Sequence, residues 1–440
     1  MVSSLTAMAA EYKAGVAAKV ITPPEPIYMS GYASRTHPSE GVVMDLKAKA
    51  LALEDAKGVR AVVVTADVIG YPRSFTDPLA ARILKAYGIS RSNLVFNASH
   101  THTGPLIGEN LEIMFELSPQ EQGVVNRYAR KLADDIFTVV GAALADLQPA
   151  SLSLGHGRAT FGVNRRRPTP KGYQINVNPE GPTDPDVPVL KITTPDGKLR
   201  AVLFGYACHN TTMTGEHCRL SGDYAGFAQA EIERANPGAT AMFLELCGAD
   251  QNPNPRSTVE LATQHGTTLG AEVNRVLGGA FAPVRGRIKG AYQVVDLAFA
   301  YHTRAKFEEL LKDANKWKVR NARRQLAFYD QRRPLRSYPY PVQAIAIGKD
   351  FTLLALGGEV VVDYSLRAKK TFGDKNLVVA GYSNDVMAYI PSARVLKEGG
   401  YEANDSMTYY GMPGPWQDDV EDRVFGAIEK VMKRVGRSRI

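Results

Sequence analysis

The stretch Asn93-Leu94-Val95-Phe96-Asn97-Ala98-Ser99-His100-Thr101-His102-Thr103-Gly104-Pro105 decides how this chain is read. It begins as the short apolar run of a buried strand and gives way at once to small polar residues, two histidines and a Gly-Pro stop. Upstream, Ala61-Val62-Val63-Val64-Thr65 reads as another strand and residues 78–87 as an amphipathic helix. Downstream, a helical period occupies about 124–147. Short strands alternating with helices predict an α/β fold of mixed sheets with flanking helices.

The pattern repeats along the chain. Residues 187–193 and 199–206 are strands joined by the turn Thr194-Pro195-Asp196-Gly197, and the second delivers Cys208-His209-Asn210. A helix over 224–234 leads into a strand at 240–246, which ends in Cys247-Gly248-Ala249-Asp250-Gln251-Asn252-Pro253. A charged helix follows over 303–329, then strands at 342–347 and 352–356, the latter followed by Gly357-Gly358-Glu359. A strand at 377–382 and a helix at 418–434 complete the reading. Ligands in α/β folds collect beyond the carboxyl ends of strands, so four polar clusters at strand ends predict one convergent active site. The Arg- and Pro-rich stretch 164–188 reads as a long functional loop. No internal repeat, low-complexity tract or linker divides the chain.

Hydrophobic residues at 44% and charged residues at 22% of 440 exclude wholesale disorder, collagen-like repeats and disulfide-stapled miniproteins. The net charge of +8 suits an anionic partner, but the basic residues are spread out. Their local clusters are Arg165-Arg166-Arg167 and Lys316 to Arg324, with no aromatic-interleaved module, so no nucleic-acid partner is expected. Cys208, Cys218 and Cys247 form no CxxC pair, and at least one thiol stays unpaired. No apolar run is long enough to cross a bilayer. Met1 to Ala10 lacks the basic start of a signal peptide and is set aside as a processing remnant. No feature fixes an oligomeric state.

His100 and His102 face the same way on an extended segment and diverge on a turn, so the spacing admits one metal ligand, two, or a pair of hydrogen-bonded loop histidines. His209 follows an apolar strand, where a buried imidazole needs a partner; it reads as a ligand or as a satisfied core histidine. Glu359, after two glycines, is placed to reach a cation or to be solvated, and Tyr389 taken alone reads as core packing. His37, His156, His217, His265 and His302 lack a comparable setting and read as surface or structural residues.

These segments carry a resemblance. Ser99-His100-Thr101-His102-Thr103-Gly104-Pro105 is similar to the first histidine element of the neutral, non-lysosomal ceramidases. Cys208-His209-Asn210-Thr211-Thr212-Met213-Thr214, with Leu220-Ser221-Gly222-Asp223-Tyr224-Ala225-Gly226 behind it, resembles their second. Gly358-Glu359 and Gly381-Tyr382-Ser383-Asn384 with Tyr389 resemble their glutamate and tyrosine elements, and the order holds from about 14 to 403. The resemblance implies a catalytic zinc ion, Zn2+, held by His100, His209, Glu359 and Tyr389, with His102, Arg165 and Tyr401 as catalytic groups around it. It implies hydrolysis of an amide bond in a small-molecule or lipid-like substrate, and a secreted or periplasmic location.

Two departures qualify the resemblance. Gln251 stands where the family carries a serine implicated in catalysis, which turns the expectation from serine chemistry to water activated by the metal. The family's carboxyl-terminal immunoglobulin-like domain has no counterpart before Ile440, so residues 11–440 are expected to be one catalytic domain. Two alternatives stand beside the amidase: a zinc esterase or lactonase on a small polar substrate, and a non-catalytic member of the fold.

Overall fold

The computed structural model describes residues 11–440; the segment set aside as a processing remnant, 1–10, lies outside the described residues. A nine-stranded mixed sheet runs in the order Thr240–Glu245, Leu199–Tyr206, Asp186–Thr193, Gln148–Arg158, Tyr12–Val20, Lys47–Asp55, Arg60–Ala66, Leu94–Ala98, with Ala282–Pro283 paired beside Gln148–Arg158. Neighbours are antiparallel except at the two ends, where Leu199–Tyr206 pairs parallel with Thr240–Glu245 and Arg60–Ala66 pairs parallel with Leu94–Ala98. Helices α1 (Arg73–Tyr87) and α2 (Pro119–Ala145) serve one end, and α3 (Asp223–Ala235) and α4 (Val259–Leu277) the other. A second sheet of four strands orders Ile288–Ala298, Ser337–Ile347, Phe351–Leu356 and Leu377–Ala380. Before and after its later strands come α5 (Arg304–Leu310), α6 (Lys316–Asp330), α7 (Val362–Phe372), α8 (Ala393–Glu398) and α9 (Val420–Arg434).

Side-chain alternation explains the layering. Along Lys47–Asp55, Ala48, Ala50 and Ala52 face α2, while Leu51 and Leu53 turn to the opposite face and join Ile345, Ile347, Phe351 and Leu353 of the second sheet. In that second sheet Ala344, Ala346 and Leu354 point outward to a cluster holding Phe425 and Ile428 of α9. Both sheets are therefore buried on two faces, in a helix–sheet–sheet–helix stack. Each fully buried Leu, Ile or Phe contributes about 1.5–3 kcal/mol, which sets the facing registers firmly.

Some boundaries differ from the sequence reading. The charged helix expected over 303–329 is two helices, because Asn315 accepts hydrogen bonds from the backbone of Trp317 and Lys318 and so caps α6. Helix α2 starts earlier, at a capping box between Ser118 and Glu121, and α1 begins right after Pro72 with Pro78 inside it. The 164–188 stretch carries a hairpin of Arg166–Thr169 with Gly172–Ile175, so it is a partly ordered loop.

Candidate metal centre

The two parallel pairs place the histidines by the same device. His100 follows the strand ending at Ala98, and its Nδ1 donates to the Ile69 carbonyl at 2.5 Å, just past the end of the neighbouring strand. His209 follows the strand ending at Tyr206, and its Nδ1 donates to the Gly248 carbonyl at 2.9 Å, again just past the neighbouring parallel strand. A parallel bridge between Thr101 and Asn210 joins the two loops, and His102 N donates to Asn210 O at 3.1 Å. Asn97 ties the sheet ends together, accepting from Glu245 N at 2.9 Å and donating to Gly381 O at 2.9 Å.

Glu359 and Tyr389 arrive from the second half. They face each other in a two-residue parallel pairing of Glu359–Val360 with Tyr389–Ile390. Gly358, at φ +73, makes the turn possible, since a Cβ there would stand 2.7 Å from the Ala388 carbonyl. Non-glycine residues in left-handed conformation gather here too: His100, Tyr382 and Asn384 have φ of 59, 49 and 68.

The atoms converge. His100 Nε2 lies 3.1 Å and His209 Nε2 3.0 Å from Glu359 Oε2, and the Tyr389 hydroxyl lies 3.2 Å from His209 Nε2. Because both Nδ1 atoms are assigned as donors, both Nε2 atoms carry bare lone pairs. Burial, followed by the nearby Arg165 guanidinium, pushes the His209 pKa down to about 3, so the imidazole is neutral. Two lone pairs aimed at a carboxylate oxygen repel unless positive charge lies among them, and an imidazole held by a backbone carbonyl at its other nitrogen is the usual arrangement of a metal ligand. This donor set fits a divalent cation, and the His100, His102 and His209 ligand atoms also lie within 4.8 Å of one another.

The other expected residues stand around this centre. His102 Nε2 is 3.1 Å from His100 Nε2, whereas its sealed Nδ1 has no hydrogen-bond partner and faces Gly31, where a Cβ would come within 2.4 Å. Arg165 donates to the Tyr389 hydroxyl at 2.9 Å, to Glu402 at 2.8 Å and to Asn252 at 3.1 Å. The Tyr401 ring sits edge-on to Tyr389, centroids 5.4 Å apart. All seven residues singled out in the sequence thus meet in one place, and the five histidines set aside do not join them. Gln251 does not enter the centre: its side chain accepts from Asp184 N at 3.3 Å and donates to Cys247 O at 3.4 Å.

Sequence reasoning missed three neighbours. Tyr410 donates a short hydrogen bond to Glu359 Oε1, Tyr382 donates to Oε2 at 3.4 Å, and Glu402 clamps Arg165 and Arg166 together. Tyr382 and Glu402 lay in motifs of the family resemblance, Glu402 in Gly400-Tyr401-Glu402, without being singled out; Tyr410, in the turn-rich Tyr409-Tyr410-Gly411-Met412-Pro413-Gly414, had no period to betray it.

Residues 12–262 match the family described as neutral/alkaline non-lysosomal ceramidase, N-terminal. The chain is 28% identical over 240 residues to the neutral ceramidase of Pseudomonas aeruginosa, covering 51% of this chain and 34% of that protein. It is 26% identical over 245 residues to the one from Mycobacterium tuberculosis, covering 51% and 38%. The chain thus matches little more than a third of the length of these relatives. The crystal structure of the Pseudomonas aeruginosa neutral ceramidase superposes with a TM-score of 0.74 at 20% identity, over 97% of this chain and 75% of that one, a likeness of fold. With more than half of its residues matched by the family model, the chain belongs to the neutral/alkaline non-lysosomal ceramidase family.

Proposed function

We propose that residues 11–440 act as one catalytic domain, a zinc-dependent hydrolase that cleaves the carbon–nitrogen bond of a lipid-like N-acyl amide related to ceramide, working outside the cytoplasm. The observation that carries this reading is the meeting of His100 Nε2, His209 Nε2 and the Tyr389 hydroxyl around Glu359. Those four residues are the ligands in this reading, two nitrogens and two oxygens, a set that suits zinc. A zinc ion bound there supplies a Lewis acid that polarises the amide carbonyl and lowers the pKa of water.

The chain's own groups do the rest. Burial, then the neighbouring imidazoles of His100 and His209, hold His102 well below its ordinary pKa, so it is neutral near pH 7 and free to take a proton from the attacking water. Arg165, with three donors already engaged, fixes the Tyr389 hydroxyl and places a permanent positive charge beside the oxygen that becomes anionic. Tyr401, stacked edgewise on Tyr389, holds the substrate against that wall. Water as the nucleophile is consistent with Gln251, whose amide is turned away. No helix among the described residues is long and apolar enough to cross a membrane, which is compatible with an exported protein.

The test is zinc content by mass spectrometry on wild type and His209→Ala, with N-acyl amide and ester hydrolysis measured on the same samples. One zinc per chain, lost in the variant together with amide cleavage, is the expected result. Faster ester than amide turnover would move the assignment to an esterase, and stoichiometric zinc without turnover would leave a non-catalytic member of the fold.

A further inference from the structure

The positive charge is less evenly spread than it looked along the sequence. Residues 304–336 hold eleven Lys and Arg against four Asp and Glu, an excess of seven in a chain whose net charge is +8. This segment contains α5 and α6, which grip the loop 401–414 from outside. Asn321 donates to Met412 O at 2.8 Å, Gln325 to Gly411 O at 2.7 Å and Lys306 to Pro413 O at 3.0 Å. The same loop meets the metal centre from inside, through Tyr410 on Glu359 and Tyr401 on Tyr389. Between the loop and the helices lies a cavity of about 450 Å³, with Tyr401, Tyr409 and Met412 on its wall and Lys306 and Lys318 at its edge. Lys318 is committed to Asp313 at 3.2 Å, and Asp405 also lines the wall. Lys306 has the Pro413 carbonyl as its hydrogen-bond acceptor and no carboxylate partner among the described residues.

We infer that this cavity is a second subsite that takes a carboxylate carried by the amide substrate, with Lys306 as the cation that meets it. The inference rests on the amide-hydrolase reading of the metal centre. Tyr401 lines the cavity and packs edge-on against Tyr389, so this ring borders both the cavity and the metal centre. An ammonium group with a single backbone acceptor keeps donors free for an incoming anion, and the surrounding excess of basic residues draws anions towards it. Asn315 on the same wall, whose Oδ1 caps α6, offers its amide NH2 to the carboxylate's remaining lone pairs.

The experiment compares two monomeric probes of equal chain length whose amine side is long enough to pass Tyr401, N-octanoyl-6-aminohexanoate, which is anionic, and N-octanoyl-6-aminohexanol, which is neutral. Binding by calorimetry and hydrolysis are both measured on the zinc-loaded full chain, on Lys306→Gln and on Lys306→Arg. Wild type is expected to bind the anionic probe about tenfold more tightly, Lys306→Gln to lose that preference, and Lys306→Arg to keep most of it. Equal binding of the two probes by wild type, or an equal loss for both in Lys306→Gln, overturns the subsite. A preference that vanishes in Lys306→Gln while neither probe is hydrolysed supports the subsite and removes the amidase reading; hydrolysis without preference does the opposite. Discrimination seen only with vesicles of anionic phospholipid also overturns it, and makes the basic segment a membrane-docking face.

Discussion

The candidate metal centre is built by two regions that reach precision in different ways. In the histidine region, His100 and His209 each stand just past a buried parallel strand, and each is oriented by a carbonyl just past the adjoining strand, Ile69 or Gly248. The sheet itself sets both positions. In the carboxylate and tyrosine region, Glu359 and Tyr389 lie on two-residue strands that pair with each other, held by hydroxyl and indole clamps: Tyr410 and Tyr382 on Glu359, and Trp416 Nε1 on Tyr389 O at 2.9 Å. Backbone ladders distribute a disturbance over many bonds, whereas a clamp fails with one side chain. The second region should therefore be the more sensitive to single conservative changes.

The largest expected effect comes from Glu359→Gln, which keeps the shape and removes the charge that draws the cation. Turnover should fall about a thousandfold or more, with metal content falling in parallel. Metal retained at full occupancy would mean that the Glu359 charge is not needed to hold it and that the remaining groups of the centre suffice. Tyr410→Phe sharpens the comparison, since it removes one clamp and no ligand. Loss of metal affinity or activity by about ten- to a hundredfold is expected, read by competition with a chelator; an unchanged variant would show that the clamp is packing alone.

Asp250 probes the seam between the regions. It belongs to the histidine region, yet its carboxylate accepts from Val362 N at 2.9 Å beyond Glu359. Burial raises its pKa to about 7, above the ordinary value near 4 of an unfolded chain. A raised carboxyl pKa means that the folded state holds its proton more tightly. The associated stability is thus fully present below about pH 4 and is lost as pH rises through about 7, up to about 4 kcal/mol in all. Asp250→Asn should flatten the fall in urea midpoint over that window; an unaltered slope would assign the pH dependence to other groups. The smallest effect is expected of Gln251→Ser: because that side chain points to Asp184 and Cys247, amide turnover should stay within about twofold of wild type. A large gain in rate would return serine chemistry to consideration.

Legibility in the sequence follows the same division. Strands such as 61–65, 94–97 and 240–246, and the hairpin at 187–206, were readable because apolar runs and a Pro-Asp-Gly turn are local signals. The break between α5 and α6 was hidden because Asn315 competes with a helical charge pattern that continues on both sides. His100 and His209 stood out as polar residues ending buried strands, whereas Glu359 and Tyr389 gained meaning beside them only from the family resemblance. Tyr410 had neither signal, and Glu402 was only the neighbour of Tyr401 in Gly400-Tyr401-Glu402.

Sequence alone determined the α/β alternation, the strand ends that carry the two histidines, and a resemblance that pointed to all seven residues of the centre. Only the tertiary structure decided that Glu359 and Tyr389 stand in register, that Tyr410 clamps the carboxylate, that Gln251 turns away, and that a basic helix pair walls a cavity behind Tyr401. The physical reason is range. Strand and turn signals arise from neighbours a few residues apart, while the clamps and the cavity join segments far apart in the chain, and their energies exist only once two sheets have packed face to face.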